Sequence, residues 1–262
     1  MSRIADTFAR CKAENRAAFI PFIMGGDPDA STAQALLNAL PEAGADIVEL
    51  GIPFSDPMAD GPVIATAGLR ALKAGATLTS VLELARNFRA KHATTPLVLM
   101  GYLNPVYIYG YEAFARDAAA AGVDGIILVD LPPEEAAEIE PLLTKHGISL
   151  VRLIAPTSLD ARLSLLAKGA SGYLYYVSVT GITGAAAASA DSVREALTKI
   201  SSTTDLPVCV GFGIKTADDV KRFNAADGVV VGSALVKTIA DSNGDVAAIR
   251  AMVRELAAGC RR

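Results

Sequence analysis

The apolar positions of this chain fall into eight short runs rich in Val, Ile and Leu, each followed by a stretch whose apolar residues recur at helical spacing. The runs occupy residues 18–26, 46–51, 96–102, 124–130, 148–154, 172–178, 206–213 and 227–233. Periodicity predicts helices over 31–43, 62–74, 78–91, 111–121, 134–146 and 158–168, and others opening near Asp191, Thr216 and Ala234. Ahead of the first run, residues 2–14 set Ile4, Phe8 and Cys11 on one face of an extra N-terminal helix, suited to plugging one end of the domain. Near-continuous apolar strands at intervals of roughly 30 residues match parallel strands buried on both faces, so the pattern predicts a single (β/α)8 TIM barrel. That one domain spans residues 1–262. A doubly wound open sheet is the alternative, but IMGGDPD after the first strand lacks the glycine spacing that seats a pyrophosphate on a helix.

In a barrel of this kind the chemistry gathers at the C-terminal ends of the strands. Those exits are Phe22 to Asp27, Glu49 to Asp60, Met100 to Tyr102, Val129 with Asp130, Leu153, Tyr175 to Gly184, Gly211 to Gly213, and Gly232 with Ser233. The second lies in DIVELGIPFSDPMADGP, residues 46–62, and carries the most charge. Alternation puts Glu49 on the face of Ile47, a costly place for an unpaired carboxylate, so Glu49 is either neutralised by a structural partner or kept for chemistry. GFG after the seventh run and Gly232-Ser233 after the eighth offer backbone N–H groups and a hydroxyl at a helix start, an anion site, although glycines also serve tight turns alone. The loop from Ser178 to Ala190 is built of small residues and is expected to be mobile, as a linker or as a lid carrying Thr183. Tyr173 and Tyr175 share one face of the sixth strand, as core or as site residues.

Composition narrows the chemistry. With 262 residues, 52% hydrophobic, a formal net charge of −4 and no basic cluster, the chain lacks the footprint of a nucleic-acid or anionic-membrane binder. No signal-peptide layout and no apolar run of about 20 residues is present, so a cytoplasmic location is expected. Cys11, Cys209 and Cys260 are odd in number and far apart, which argues against a disulfide framework or a thiolate metal site. The two histidines, His92 and His146, close helical patterns. No metal is therefore expected, and acid–base work falls to carboxylates or tyrosines. Lysines lie in helical patterns or at their ends except Lys215, which disfavours imine chemistry. The inventory points to a phosphorylated substrate handled by two carboxylates.

The segments FIPFIMGGDP (19–28), VELGIPFSDPMADGP (48–62), VTGITG (179–184), GFGIK (211–215) and VVGSALV (230–236) resemble the α-subunit family of tryptophan synthase over essentially the whole chain. The resemblance implies retro-aldol cleavage of indole-3-glycerol phosphate to indole and glyceraldehyde 3-phosphate. It implies Glu49 as general acid/base, Asp60 on the indole N–H and Tyr175 at the reacting end. Phe22, Met100 and Leu153 would pack the indole, Thr183 would join the substrate site, and Gly184, Gly213, Gly232 and Ser233 would hold the phosphate. It further implies a pyridoxal-phosphate β subunit in a tetramer of two α and two β chains, with no cofactor in this chain. The partner would face Asp56 and Pro57 and the loop from Val179 to Ala190. The run Ala185 to Ala188 departs from the polar or charged residues of many relatives, which bears on lid closure and partner contacts. Other readings are a second phosphate-binding barrel of the same pathway, a self-sufficient lyase, and a non-catalytic regulatory subunit. Burial predicts a raised pKa for Glu49.

Overall fold

The computed structural model describes residues 2–159, 162–177, 189–211 and 213–262. Strands β1 (Ala18–Met24), β2 (Val48–Gly51), β3 (Leu97–Gly101), β4 (Gly125–Leu128), β5 (Ser149–Ile154), β6 (Leu174–Val177), β7 (Val208–Gly211) and β8 (Gly228–Val231) pair in parallel in chain order, and β8 closes on β1. Around them run α1 (Arg3–Ala13), α2 (Ala30–Ala43), α3 (Pro62–Lys73), α4 (Leu78–Lys91), α5 (Leu103–Tyr109), α6 (Tyr111–Ala120), α7 (Glu140–Lys145), α8 (Leu163–Lys168), α9 (Ala190–Ser201), α10 (Ala217–Phe223), α11 (Ser233–Asp241) and α12 (Val246–Ala258). The fold is the TIM barrel that the alternation predicts.

Along each strand, alternate residues serve two cores. Phe19, Ile23, Val48, Leu50, Leu97 and Leu99 pack outward under the helices, while Ile20, Ile47, Val98, Ile127, Val151 and Val230 fill the barrel. Helix α1, capped by Ser2, inserts Ile4, Phe8 and Cys11 into that interior cluster and closes the floor. His92 and His146 are C-caps of α4 and α7, and the three cysteines are buried and free.

The structure corrects the sequence expectation at several places. The span 134–146 is a 3-10 turn, Pro133–Glu138, followed by the short α7, and 158–168 reduces to a 3-10 turn at Pro156–Ser158 and the short α8. Helices α5 and α12 are not anticipated at all. Pro105 reads as a breaker, yet it sits in the first turn of α5, where its missing N–H is not needed. Before α12, Asn243 and Gly244 take left-handed backbone and Asp245 caps the new helix, a stop and restart within four residues, 242–245. The segment 178–188, with its expected mobility, Thr183, Gly184 and the run Ala185 to Ala188, lies outside the described residues.

The barrel floor is fastened by one device used four times. The N–H of Asp46 donates to the Phe19 carbonyl while its carboxylate accepts the Phe19 N–H, both at 2.9 Å. Asp124 does the same with Leu97, Asp227 with Val208, and Ser171, through its hydroxyl, with Leu150. Each clamp joins the approach to an even strand to the odd strand before it. Two of the clamps also carry buried charge. Asp46 binds Arg10 and Arg16, and Asp124 binds Arg3 and Arg89, so the α1 arginines Arg3 and Arg10 tie the plug helix to the floor. Burial pushes the Asp46 carboxyl up, but bonds from Arg16, the Phe19 amide and Arg10 hold it below its ordinary value. Replacing Asp46 or Asp124 by Ala breaks two ion pairs to a buried carboxylate and leaves a buried strand amide without its acceptor, and should cost about 3–5 kcal/mol. Replacing Ser171 by Ala removes one neutral bond and should cost about 1 kcal/mol. Urea unfolding of the three variants checks this order, and a Ser171→Ala cost equal to that of Asp46→Ala would contradict it.

Candidate active site

Glu49 sits between Phe22 of β1 and Val98 of β3 in the barrel ladder, with its side chain inside and 0% exposed. Its partner comes from across the barrel: the hydroxyl of Tyr173, which precedes β6, donates to Glu49 Oε1 at 2.6 Å. Tyr173 is itself buried against Phe8 of the plug helix, ring centroids 5.8 Å apart. Glu49 Oε2 is also buried, and among the described residues it has no hydrogen-bond partner. Burial in this apolar interior raises the Glu49 pKa to about 7, and the Tyr173 hydrogen bond moderates the rise. The carboxyl is thus poised between acid and base near neutral pH, and the structural salt bridge that the sequence left open is not what Glu49 makes.

Tyr175 points into the same interior. Its hydroxyl lies so close to Gly211 that a Cβ at that position would come within 2.0 Å of it, so glycine is required there. Burial and the charge of Glu49 hold the Tyr175 hydroxyl well above its ordinary pKa, which keeps it a neutral donor.

The second acid ends the loop that leaves β2. Asp60 precedes Gly61, the N-cap of α3, and Pro62, which opens that helix. Burial raises its pKa to about 6, tempered by the hydroxyl of Tyr102. Asp56 lies exposed on the same loop with Pro57 beside it, and the loop is folded back by Met58 N–H to Asp56 and Asp60 N–H to Pro57 hydrogen bonds.

Apolar side chains line the mouth above Glu49. Met100 and Leu153 pack on the interior cluster, and Met100 also joins Phe22, Met24, Val63, Ile64 and Val236 in a second cluster. Gly232 backs onto Phe22, with room for a Cβ only 3.4 Å from that side chain. Ser233 opens α11, whose N-terminus carries no side-chain cap, and Gly213 adopts φ +74° with open space beside its Cα. The start of α11 and Gly213 thus follow neighbouring strands, β8 and β7, beside Phe22 of the apolar mouth, and an uncapped helix start of this kind has the chemistry to take an anion.

The structure therefore gathers Glu49, Tyr175, Phe22, Met100, Leu153, Gly213, Gly232, Ser233 and Asp60 at one end of the barrel, while Thr183 and Gly184 lie outside the described residues. Other polar exits are spent on architecture. Buried Asp27 receives two 2.8 Å hydrogen bonds from Arg70 of α3, and Asp130 caps the Leu103 N–H. Lys215 is exposed at the approach to α10. Two functional neighbours escape sequence reasoning: Tyr173, whose face is legible but whose partner is not, and Tyr102, visible only as a strand-exit residue.

Comparison with known proteins agrees with this geometry. Residues 8–261 match the family model described as tryptophan synthase alpha chain. The chain is 51% identical over 269 residues to the tryptophan synthase alpha chain of Granulibacter bethesdensis, covering 100% of this chain and 97% of that one. It is 54% identical over 243 residues to that of Gluconacetobacter diazotrophicus, covering 92% and 89%. Among solved structures, the tryptophan synthase subunit alpha of Legionella pneumophila superposes with a TM-score of 0.91 at 39% identity, covering 99% of this chain and 98% of that one. Tryptophan synthase from M. tuberculosis, in its aminoacrylate-bound form, gives 0.90 at 37% identity and covers 100% of both chains. With sequence, fold and the carboxylate-lined mouth in agreement over the full length, the chain belongs to the tryptophan synthase alpha chain family.

Proposed function

We propose that this chain cleaves indole-3-glycerol phosphate to indole and glyceraldehyde 3-phosphate, with Glu49 moving the protons. The observation that carries the reading is the buried Glu49 carboxyl, held at Oε1 by Tyr173 and without a protein partner at Oε2. A neutral Glu49 gives its proton to indole C3, and the ring becomes a cationic electron sink. The resulting carboxylate then takes the proton of the glycerol hydroxyl next to the ring as that carbon becomes a carbonyl. The electron pair of the breaking C–C bond returns to the ring and restores indole, and Glu49 ends protonated as it began. Ionised Asp60 accepts the indole N–H bond and stabilises the cationic ring. Phe22, Met100 and Leu153 take the indole, Tyr175 lines the reacting end, Thr183 joins the substrate site, and Gly184, Gly213, Gly232 and Ser233 take the phosphate.

The partner in this reading is a β subunit carrying pyridoxal phosphate, in a tetramer of two α and two β chains, and this chain binds no cofactor of its own. Asp56 and Pro57 face it. Met58, 82% exposed on the same loop, and Tyr107 and Ile108, 63% and 75% exposed on the helix after the neighbouring strand, support this docking face as apolar surface at adjacent strand exits. The reading also assigns the chain to the cytoplasm. Among the described residues no helix is long and apolar enough to cross a membrane.

Indole release by the purified chain, alone and with a β subunit, tests the proposal. Glu49→Gln keeps the shape and removes the transferable proton, so kcat should fall by about 10²–10⁴. A fully active Glu49→Gln enzyme would sink the mechanism, and a rate unchanged by the β subunit would favour the self-sufficient lyase. The pH profile has a defined sign. kcat/KM should rise through about 6 as Asp60 ionises and fall above about 7 as Glu49 loses its proton. Tyr173→Phe removes the bond that moderates the Glu49 pKa, so the alkaline limb should move to higher pH. An alkaline limb that stays put or moves down would contradict the assignment of that limb to Glu49.

A further inference from the structure

The loop from Ile52 to Gly61 carries Asp60 and is exposed at Ser55, Asp56, Met58 and Ala59, and the backbone bonds of its turn at 56–60, Met58 N–H to Asp56 and Asp60 N–H to Pro57, are local. One buried side chain from the next strand exit fastens it at both ends. The ring of Tyr102, 3% exposed, packs on Phe54 with centroids 5.2 Å apart and planes tilted by 33°. Its hydroxyl accepts the N–H of Ala59, immediately before Asp60, at 3.0 Å. The backbone that carries Tyr102 is fixed in turn, because the next N–H, that of Leu103, donates to Asp130 at the β4 exit at 2.8 Å. Three consecutive exits, those of β2, β3 and β4, are therefore braced through Tyr102.

We infer that Tyr102 is a positioning residue for Asp60, holding the loop by its Ala59 bond and ring contact while its hydroxyl proton faces the Asp60 carboxylate. The hydroxyl oxygen is already used as acceptor for Ala59, so its proton is free to serve the acid. The two groups affect each other in the expected sense. The hydroxyl restrains the rise that burial imposes on the Asp60 pKa, and burial with the charge of Asp60 pushes the Tyr102 hydroxyl up to about 12, so it stays a donor throughout the working range. The consequence for catalysis rests on the lyase reading above. Asp60 must be ionised and correctly aimed when the indole ring becomes cationic, and Tyr102 provides for both.

The test is Tyr102→Phe, which keeps the ring contact with Phe54 and removes the hydroxyl that accepts the Ala59 N–H and is inferred to face Asp60. Loss of transition-state aim predicts a kcat lower by about tenfold or more at neutral pH with KM within about twofold. The acid limb of kcat/KM should shift upward, and a carbon-13 NMR titration of labelled aspartates should show the Asp60 midpoint rising from about 6. A merely structural tyrosine would lower thermal stability and leave that midpoint in place, which would overturn the inference. Should Tyr102→Phe fail to fold, the coupling is read from the other side. The Tyr102 ring-carbon resonance in the wild-type chain should titrate with the Asp60 midpoint and lose that titration in Asp60→Asn, and a resonance blind to Asp60 overturns the inference. A wild-type chain that releases no indole would sink the lyase reading, while the NMR titrations decide the role of Tyr102 independently.

Discussion

The desolvation of one carboxyl group, Glu49, is the constraint around which the rest of this barrel is arranged. A charged carboxylate inside an apolar barrel is strongly disfavoured, so the group shifts toward its neutral form. Two features keep that cost bearable. Tyr173 supplies a short hydrogen bond to one oxygen, and the pKa settles near 7, where the neutral form needs no partner ion. The plug helix belongs to this arrangement. Phe8 packs against Tyr173 from below, and Ile4 and Cys11 complete the apolar floor that excludes water.

That floor must be rigid for the desolvation to hold. The four reciprocal clamps set the register of successive strand pairs, and the arginines on Asp46 and Asp124 join the plug helix to two of them. Charge at the floor is thus paired and structural, whereas at the mouth one carboxyl is left neutral and another sits beside a phenol. The same residue type, aspartate, serves opposite ends by environment alone. Asp46 is held below its ordinary pKa by Arg16 and Arg10 against its burial, and Asp60, with a single hydroxyl to temper burial, is raised.

Much of this was legible in the chain itself. Strands buried on both faces write themselves as continuous apolar runs, so their number and order survive in the sequence, and the inward face of Glu49 follows from Ile47. What was hidden depends on closure in space. Tyr173 and Tyr175 alternate inward together, but only the closed barrel brings a residue 124 positions away onto Glu49 and chooses Tyr173 over Tyr175. Asp27, Asp60 and Asp130 look alike as strand-exit acids. The first is taken by Arg70 and the third by the Leu103 amide, assignments that no local pattern encodes. Helices α5 and α12 are hard to read from the chain because Pro105 lies in the first turn of α5 and because the left-handed Asn243 and Gly244 after α11 come directly before Asp245, which caps α12.

The measurement that bears most directly on this account is an infrared titration of the wild-type chain against Glu49→Gln. A protonated buried carboxylic acid has a carbonyl stretch separate from that of a carboxylate, so the difference between the two proteins isolates the state of Glu49. The account predicts a protonated band at Glu49 that disappears with a midpoint of about 7. A band lost at the ordinary glutamate value, near 4.5, would show that Glu49 is an anion at neutral pH and would contradict the claim that burial makes it the acid.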